Sequence, residues 1–391
     1  MTDNYFTTSI HLISGQNAPN YLALQQYPSQ KVCMLHTSGS RGQVSVLEQV
    51  FEEQAPSQEF EIETIEVPPF DTEAVRGKVA DILEALENPQ EAYINYTAGT
   101  KPMSIGAYLA GSEYQVPRLY VDSQYNQMHW SDGSEVSFQV HLTVPQYMKI
   151  YGLATEVVSD TQDMYQWEEL TEYISRTREK IKQQAHEFSG DHDRANREIG
   201  RKFSLFNHAI DVQFNKVPFE GGRFEGLSVE LLHINDEGEK WYTLQLKDKT
   251  YDAPESEVVS YLAGGWLEEW AWLQLDALDW FDDIRANVKT GYRHDKYGTP
   301  DTYTKNEYDI LATCNGRLYQ FEIKSGAIRQ EDLYKISEIR PGRYVQTYLI
   351  HERNIPPHLK EKCVDLGIQS LRVHKVDKWK AIIEYDNKLS L

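Results

Sequence analysis

Between Thr8 and Lys149 the chain alternates short apolar runs with stretches whose apolar positions recur every three or four residues. TSIHLIS, KVCMLHT, FEIETIEV, AYINYT and RLYVDS have the character of buried strands, and VSVLEQVFEEQ, TEAVRGKVADILEAL and MSIGAYLAGSE that of amphipathic helices. Strand and helix taking turns in this way predict a parallel sheet covered on both faces, a Rossmann-like α/β domain over residues 1–150. From 151 to 255 the pattern loosens. Two charged helical stretches, TQDMYQWEELTEYISRTREKIKQQAHEF and NREIGRKFSLFNHAIDV, precede the strand-like SVELLHI and WYTLQLK, which predicts a small α+β connecting region. Residues 256–391 open with one long helix, SEVVSYLAGGWLEEWAWLQLDAL, followed by a hairpin and then by alternating helix and strand, a further α/β module.

The first module contains an internal echo. TSGSR at 37–41 and TAGTK at 97–101 each follow a strand and open a helix, with threonine, a small residue, glycine, a hydroxyl and a cation in the same order. In a parallel sheet both loops fall at the carboxyl ends of their strands, where such folds bind ligands. Glycine lets backbone approach an anion, helix amides and hydroxyls donate to it, and Arg41 or Lys101 supplies charge. The predicted ligand carries phosphate, held by Thr37, Ser38, Gly39, Ser40 and Arg41 on one loop and Thr97, Ala98, Gly99, Thr100 and Lys101 on the other. Neither loop matches GxxxxGK[ST], and GxGxxG is absent, which speaks against an ATP-hydrolysing P-loop and against a dinucleotide.

The hairpin NEYDILATCNGRLYQFEIKSG at 306–326 has an unusual charge distribution. Asn315-Gly316 is a two-residue type I′ turn signal, so Cys314 faces Arg317 and, counting outward, Asp309 faces Glu322. Ile310, Ala312, Tyr319, Phe321 and Ile323 then form one apolar face, and Lys324 joins the two carboxylates on the other. Opposed carboxylates cost about 0.2–1 kcal/mol when exposed and more when desolvated. A bound Mg2+ or Mn2+ would remove that cost, since these ions take one or two carboxylates and keep several waters. Lys324 is placed to orient an attacking water and to stabilise charge developing on a phosphate. A third carboxylate is available from GGWLEEW, as Glu268 or Glu269.

Composition narrows the partners. The chain has 391 residues, room for two or three domains, and its Cys33, Cys314 and Cys363 lack CxxC spacing, as expected of a reducing cytoplasm and of a metal held by oxygen. MTDNYFTTSIHLIS has neither the basic start nor the long apolar stretch of a signal peptide, and no run approaches the roughly 20 apolar residues of a membrane span. The net charge is −21, but residues 310–391 carry 14 Lys/Arg against 10 Asp/Glu, or +4, and the preceding residues carry −25. A C-terminal region that tolerates phosphate on an acidic body is consistent with nucleic acid at that end.

GGWLEE, EYDIL and FEIK together resemble the three motifs of the PD-(D/E)XK nuclease superfamily, with Glu268, Asp309, Glu322 and Lys324 matching its helix acid, central acid and final E-x-K; Tyr308 stands where the pattern has proline. TAGTKPM, including Met103, resembles the ligand loop of CARF domains, with Ala98 where a second glycine is usual, and GQNAPN, with Gln16, Asn17 and Asn20, is similar to the first loop of CARF proteins fused to such nucleases. The whole resembles the cyclic-oligoadenylate-activated CARF nucleases, ancillary effectors of type III CRISPR systems. That resemblance implies a cyclic oligoadenylate activator (cyclic tetra-adenylate first), a homodimer enclosing it, Asp309, Glu322 and Glu268 as metal ligands, and cleavage of DNA and RNA. The Arg-x4–6-His spacing of HEPN ribonucleases is missing between Arg176 and His186. Two rival readings are a CARF-type DNA-binding regulator without catalysis and a restriction or repair nuclease with another N-terminal ligand.

Overall fold

The computed structural model describes residues 6–54, 61–137, 140–159, 166–177, 222–224, 227–292, 306–339, 342 and 345–388. The second charged helix expected above, NREIGRKFSLFNHAIDV, lies outside the described residues, as does much of the first.

Five strands form the parallel part of the N-terminal sheet: β1 (Phe6–Leu12), β2 (Ser29–His36), β3 (Glu61–Glu66), β4 (Ala92–Asn95) and β5 (Arg118–Asp122). Their order is β3-β2-β1-β4-β5, so the chain reverses its direction of travel between β1 and β4. Antiparallel β6 (Gln127–Trp130) and β7 (Glu135–Ser137) extend the sheet to seven strands. Helices α1 (Ala18–Gln26), α2 (Arg41–Gln54), α3 (Thr72–Glu84), α4 (Lys101–Glu113) and α5 (Val144–Ile150) complete this module. One face of the sheet packs Ile10, Leu12, Cys33, Leu35 and Ile94 against α3 and α4, whose backbones come so close that a Cβ on Gly106 would lie 2.5 Å from the Thr72 carbonyl.

The C-terminal sheet has six strands in the order β17-β16-β15-β14-β13-β8, where β8 is Leu153–Ser159, β13 Asp283–Tyr292, β14 Asn306–Cys314, β15 Arg317–Lys324, β16 Gln346–His351 and β17 Ile368–Arg372. Strands β15, β16 and β17 run parallel and the rest antiparallel. Strand β8 thus leaves the N-terminal module through α5 and closes the edge of the next sheet. A separate antiparallel sheet of β9 (Gly222–Phe224), β10 (Leu227–Ile234), β11 (Lys240–Leu246) and β12 (Lys249–Pro254) shares its core with the C-terminal module, where Trp167, Leu170, Val229 and Leu244 join Trp266, Trp270 and Phe321.

The stretch expected as one long helix is broken. Glu255–Ser260 is helical, Tyr261–Gly265 forms a wider turn, and the helix resumes as α6 (Trp266–Asp276). At the break Gly264 is extended, and a Cβ there would meet the Ser325 hydroxyl at 3.3 Å, so the missing side chain lets this segment approach the end of β15. Helices α7 (Gln330–Glu338), α8 (Pro357–Asp365) and α9 (Val376–Lys388) complete the module.

The two modules share a core. Leu22, Val144, Tyr147 and Met148 pack with Val288, Tyr308, Leu311 and Leu318. The turn of the β14–β15 hairpin reaches furthest into the N-terminal module: a Cβ on Gly316 would lie 2.4 Å from Leu22. Arg317 donates to the carbonyls of Ser123 and Gln124, Thr313 donates to the Leu142 carbonyl, and the Asn315 amide donates to Asp282 at 2.7 Å.

Candidate functional site

Three loops converge where the N-terminal sheet reverses. GQNAPN follows β1, TSGSR follows β2 and TAGTK follows β4, all at the carboxyl edge. Most side chains on them are spent on holding the loops. Asn17 donates to the Gln43 side chain at 2.9 Å, and Asn20 donates to the Leu12 carbonyl at 3.0 Å. Asn95, buried at the end of β4, donates to Asn20 at 3.1 Å and accepts from the Thr97 amide and hydroxyl at 3.2 and 2.7 Å, tying the first loop to the third. His11 lies in the same network, and burial lowers its imidazole to about 4, so the ring is neutral there. The Thr37 amide donates to Ser40 at 2.9 Å. Thr100 caps α4 through the Met103 amide and donates to the Pro69 carbonyl.

Ser38, Gly39, Arg41 and Lys101 remain exposed, Gln16 is half-buried, and Ala98 and Met103 are inside. Gly99 has φ +84°, and a Cβ there would also press on Leu12 and Met103 at 3.2 and 3.3 Å, so this position requires glycine on both counts. Beside Pro69, on the loop after β3, Phe70 is 82% exposed at the same edge of the sheet. Its only signal in the sequence is the PPF that ends FEIETIEVPPF, which reads as a turn.

In the C-terminal module the Asn315-Gly316 turn has φ +48° and +74°, both left-handed as a type I′ turn requires. The ladder pairs Cys314 with Arg317 and Ile310 with Phe321, and one step further it sets Asp309 beside Glu322. Ile310, Ala312, Tyr319, Phe321 and Ile323 are buried in one core, on the face expected. On the opposite face Glu322 is 4% exposed and accepts from the Lys324 ammonium at 2.8 Å. The Ile323 amide donates to Asp309 at 2.7 Å, occupying one carboxylate oxygen.

The electrostatics of this face are unbalanced. Burial pushes the Asp309 carboxyl well above the usual carboxylate range, and the charges of Glu322 and Glu268 push it further. Burial also raises Glu268, against the pull of Lys324 and with the repulsion of Glu322 and Glu307. Burial pulls the Lys324 ammonium down, but Glu322 more than offsets this and leaves it above its ordinary value. Of the two α6 glutamates, Glu268 is the one that feels the charges of Lys324 and Glu322. Glu269 accepts from Thr171 at 2.8 Å, and burial raises it to about 8. Glu307, two residues before Asp309, is a further carboxylate on this strand. Among the described residues no three His, Cys, Asp or Glu side chains are already gathered as a metal cage. What is present suits an ion that takes one or two carboxylates and water: Asp309 and Glu322 together, with Glu268 near enough for its charge to raise Asp309.

An α/β module with open loops at its switch point is thus joined to a module with a lysine among buried carboxylates. The family comparisons give the class of each. Residues 8–147 match the Card1 CARF domain family and residues 255–372 the endonuclease domain of Card1-like proteins, so the chain joins a CARF domain to a Card1-like endonuclease domain. Two solved structures share the fold over 98% of this chain and 98% of their own: Can2 from Sulfobacillus thermosulfidooxidans in complex with cyclic tetra-adenylate (18% identity, TM-score 0.69) and protein VC1899 from Vibrio cholerae (16% identity, TM-score 0.70). Comparison with curated proteins gives no significant match. Among the described residues no helix is long and apolar enough to cross a membrane.

Proposed function

We propose that the protein is a nuclease of CRISPR defence that a cyclic oligoadenylate, cyclic tetra-adenylate in the first instance, switches on, and that it cleaves DNA and RNA strands with Mg2+ or Mn2+. The observation that carries this reading is the Asp309, Glu322 and Lys324 constellation, with Glu268 facing it, inside an endonuclease domain. The likeness of the whole fold to Can2 bound to cyclic tetra-adenylate supports the activator.

Each residue of the centre has a distinct task. Asp309 and Glu322, with Glu268, would hold the cation, and relief of their mutual repulsion would drive its binding. When bound, the divalent ion supplies Lewis acidity at the phosphoryl oxygens and lowers the pKa of a water. Lys324, held by Glu322, is placed to orient an attacking water and to stabilise the charge that builds on phosphorus. The Ile323 amide fixes the rotamer of Asp309.

At the switch-point edge Lys101 and Arg41 meet the activator's phosphates, the Gly39 and Gly99 turns admit backbone contacts, and Phe70 offers a ring on which adenine stacks. Ile105, Tyr108 and Leu109 form an exposed apolar stripe on α4, beside this edge, that suits the same surface of a second copy. Glutamate at both Ile105 and Leu109 is expected to halve the mass measured by light scattering. The test of the whole reading is a cleavage screen: cyclic oligoadenylates of several ring sizes and ATP, each with divalent cation, against labelled single-stranded DNA and RNA. Cleavage that starts with one ring size and not with ATP is expected. A strand cut equally well without any activator would refute the switch.

A further inference from the structure

The three parallel strands of the C-terminal sheet end together, and their last residues are in register: Lys324 with His351, and His351 with Arg372. Registered residues of parallel strands point to the same face, so these three side chains form a row across the sheet, about 10 Å long at the usual strand spacing. It begins at the lysine that Glu322 holds. Strands β15 and β16 each end in a loop and β17 runs on into a short turn, and these supply more of the same charge. Residues 351–356 and 372–375 contain Arg353, Arg372, Lys375, His351 and His374 against the single Glu352, and the first turn of α8 adds His358 and Lys360. This edge accounts for much of the positive balance of the C-terminal region on an otherwise acidic chain.

Two atoms in the row have no partner among the described residues. His351 is 2% exposed, and its Nδ1 donates to the Arg353 carbonyl at 2.6 Å, while its Nε2 is buried and unmatched. Arg372 donates to Asn354 through Nη2, while its Nε is buried and unmatched. Buried polar atoms are nearly always paired, so two orphans on adjacent strands mark the seat of a polar occupant. The surroundings set its sign. Burial lowers the His351 imidazole; its bond to the Arg353 carbonyl opposes this, and the positive charges of Arg372, His374 and Lys360 add to it. An anion there would accept from Arg372 Nε and, by favouring the protonated ring, would turn His351 Nε2 into a donor as well.

We propose that this row is a binding track for the sugar–phosphate backbone of the substrate strand: with the scissile phosphate at Lys324, the flanking phosphate sits between His351 and Arg372, and His374 and Lys375 continue the track. The proposal rests on the nuclease reading above and adds to it the path of the strand. Binding to a row of cations depends steeply on salt, by about 0.7 in logarithmic slope per phosphate contact for single strands.

The test uses the full-length protein with Glu322→Gln, which removes cleavage, and fluorescence anisotropy of labelled single-stranded DNA and RNA of one sequence over a series of salt concentrations. Arg372→Gln is expected to weaken binding of both strands about ten-fold and to lower the salt slope by about 0.7. Because Arg372 also braces Asn354, the exposed pair His374→Gln and Lys375→Gln is measured in parallel; it disturbs no buried contact and is expected to lower the slope likewise. Undiminished slopes and affinities in both variants would overturn the track while leaving the nuclease reading intact if the wild type still cuts. A loss confined to RNA or to DNA would overturn the assignment to phosphate. A parent that binds no strand, with a wild type that cuts none, would remove the nuclease reading and the track together.

Discussion

The loops at the switch point and the base of the β14–β15 hairpin were both expected to handle phosphate, yet they are built in opposite ways. At the loops the polar side chains are already paired inside the protein, through Asn95, Asn20, Ser40 and Thr100, leaving backbone, glycine and two exposed cations to meet a ligand. At the hairpin the buried carboxylates repel one another, and Asp309 and Glu268 are held above their usual range. The first is a finished frame, which on the proposed reading takes an anion without rearranging. The second is an electrostatic debt, which on the same reading a cation would settle. The module that carries the frame meets the hairpin at its turn, away from the carboxylates, through Arg317 on the Ser123 and Gln124 carbonyls and Gly316 against Leu22.

The contrast is broken most severely at the carboxylates. Asp309→Ala or Glu322→Ala is expected to reduce cleavage under Mg2+ or Mn2+ by about a thousand-fold or more, a loss of roughly 4 kcal/mol of transition-state stabilisation, with activator affinity unchanged. Metal should raise the Tm of the wild type more than that of either variant, as a ligand of the native state alone does. Equal shifts measured by calorimetry would mean that the ion binds elsewhere.

A smaller effect is expected at the link. Arg317→Ala leaves the Ser123 and Gln124 carbonyls without this donor, at a cost of about 1–3 kcal/mol. Titration of the activator should show nearly the same binding constant, while the ratio of activated to basal cleavage falls several-fold. If activation is complete in this variant, the hairpin turn does not carry the signal.

The smallest is a change in pH dependence. Glu269 is raised to about 8 in the folded protein, so the native state binds its proton more tightly than the unfolded chain does. Its contribution is present below the ordinary carboxylate value of about 4 and is lost as pH rises through about 8. Glu269→Gln, which keeps a polar partner for Thr171, should therefore flatten the fall in Tm between about pH 5 and 8. An unchanged slope in a thermal melt series would show that Glu269 is not held protonated.

Both sites differed in how far they were legible in the sequence. The hairpin could be read because one Asn-Gly turn fixes every pair above it, down to Asp309 and Glu322. The strand-helix alternation gave the parallel sheet for the same local reason. What could not be read depends on distant partners: β8 and β13 pair across more than a hundred residues, β6 and β7 are too short to show a period, and the bond that Glu269 accepts from Thr171 is announced by nothing near GGWLEEW. The break at Gly264 was visible as GG, but the apolar pattern runs through it unbroken, and only the approach to Ser325 explains it. At the loops the residue types were plain, and the inward turn of Asn20 and Ser40 was not.

The separateness of frame and debt is tested most directly by cleavage as a function of cyclic tetra-adenylate concentration in Lys101→Ala and Lys324→Ala. Removing a charge-assisted contact to phosphate weakens binding about ten- to a hundred-fold, so Lys101→Ala should shift the midpoint by that much and reach the wild-type plateau. Lys324→Ala should keep the midpoint and lose the plateau, since its contact is made in the transition state. A Lys101→Ala curve with an unshifted midpoint and a lost plateau would contradict the account: the N-terminal loops would not be the sensor.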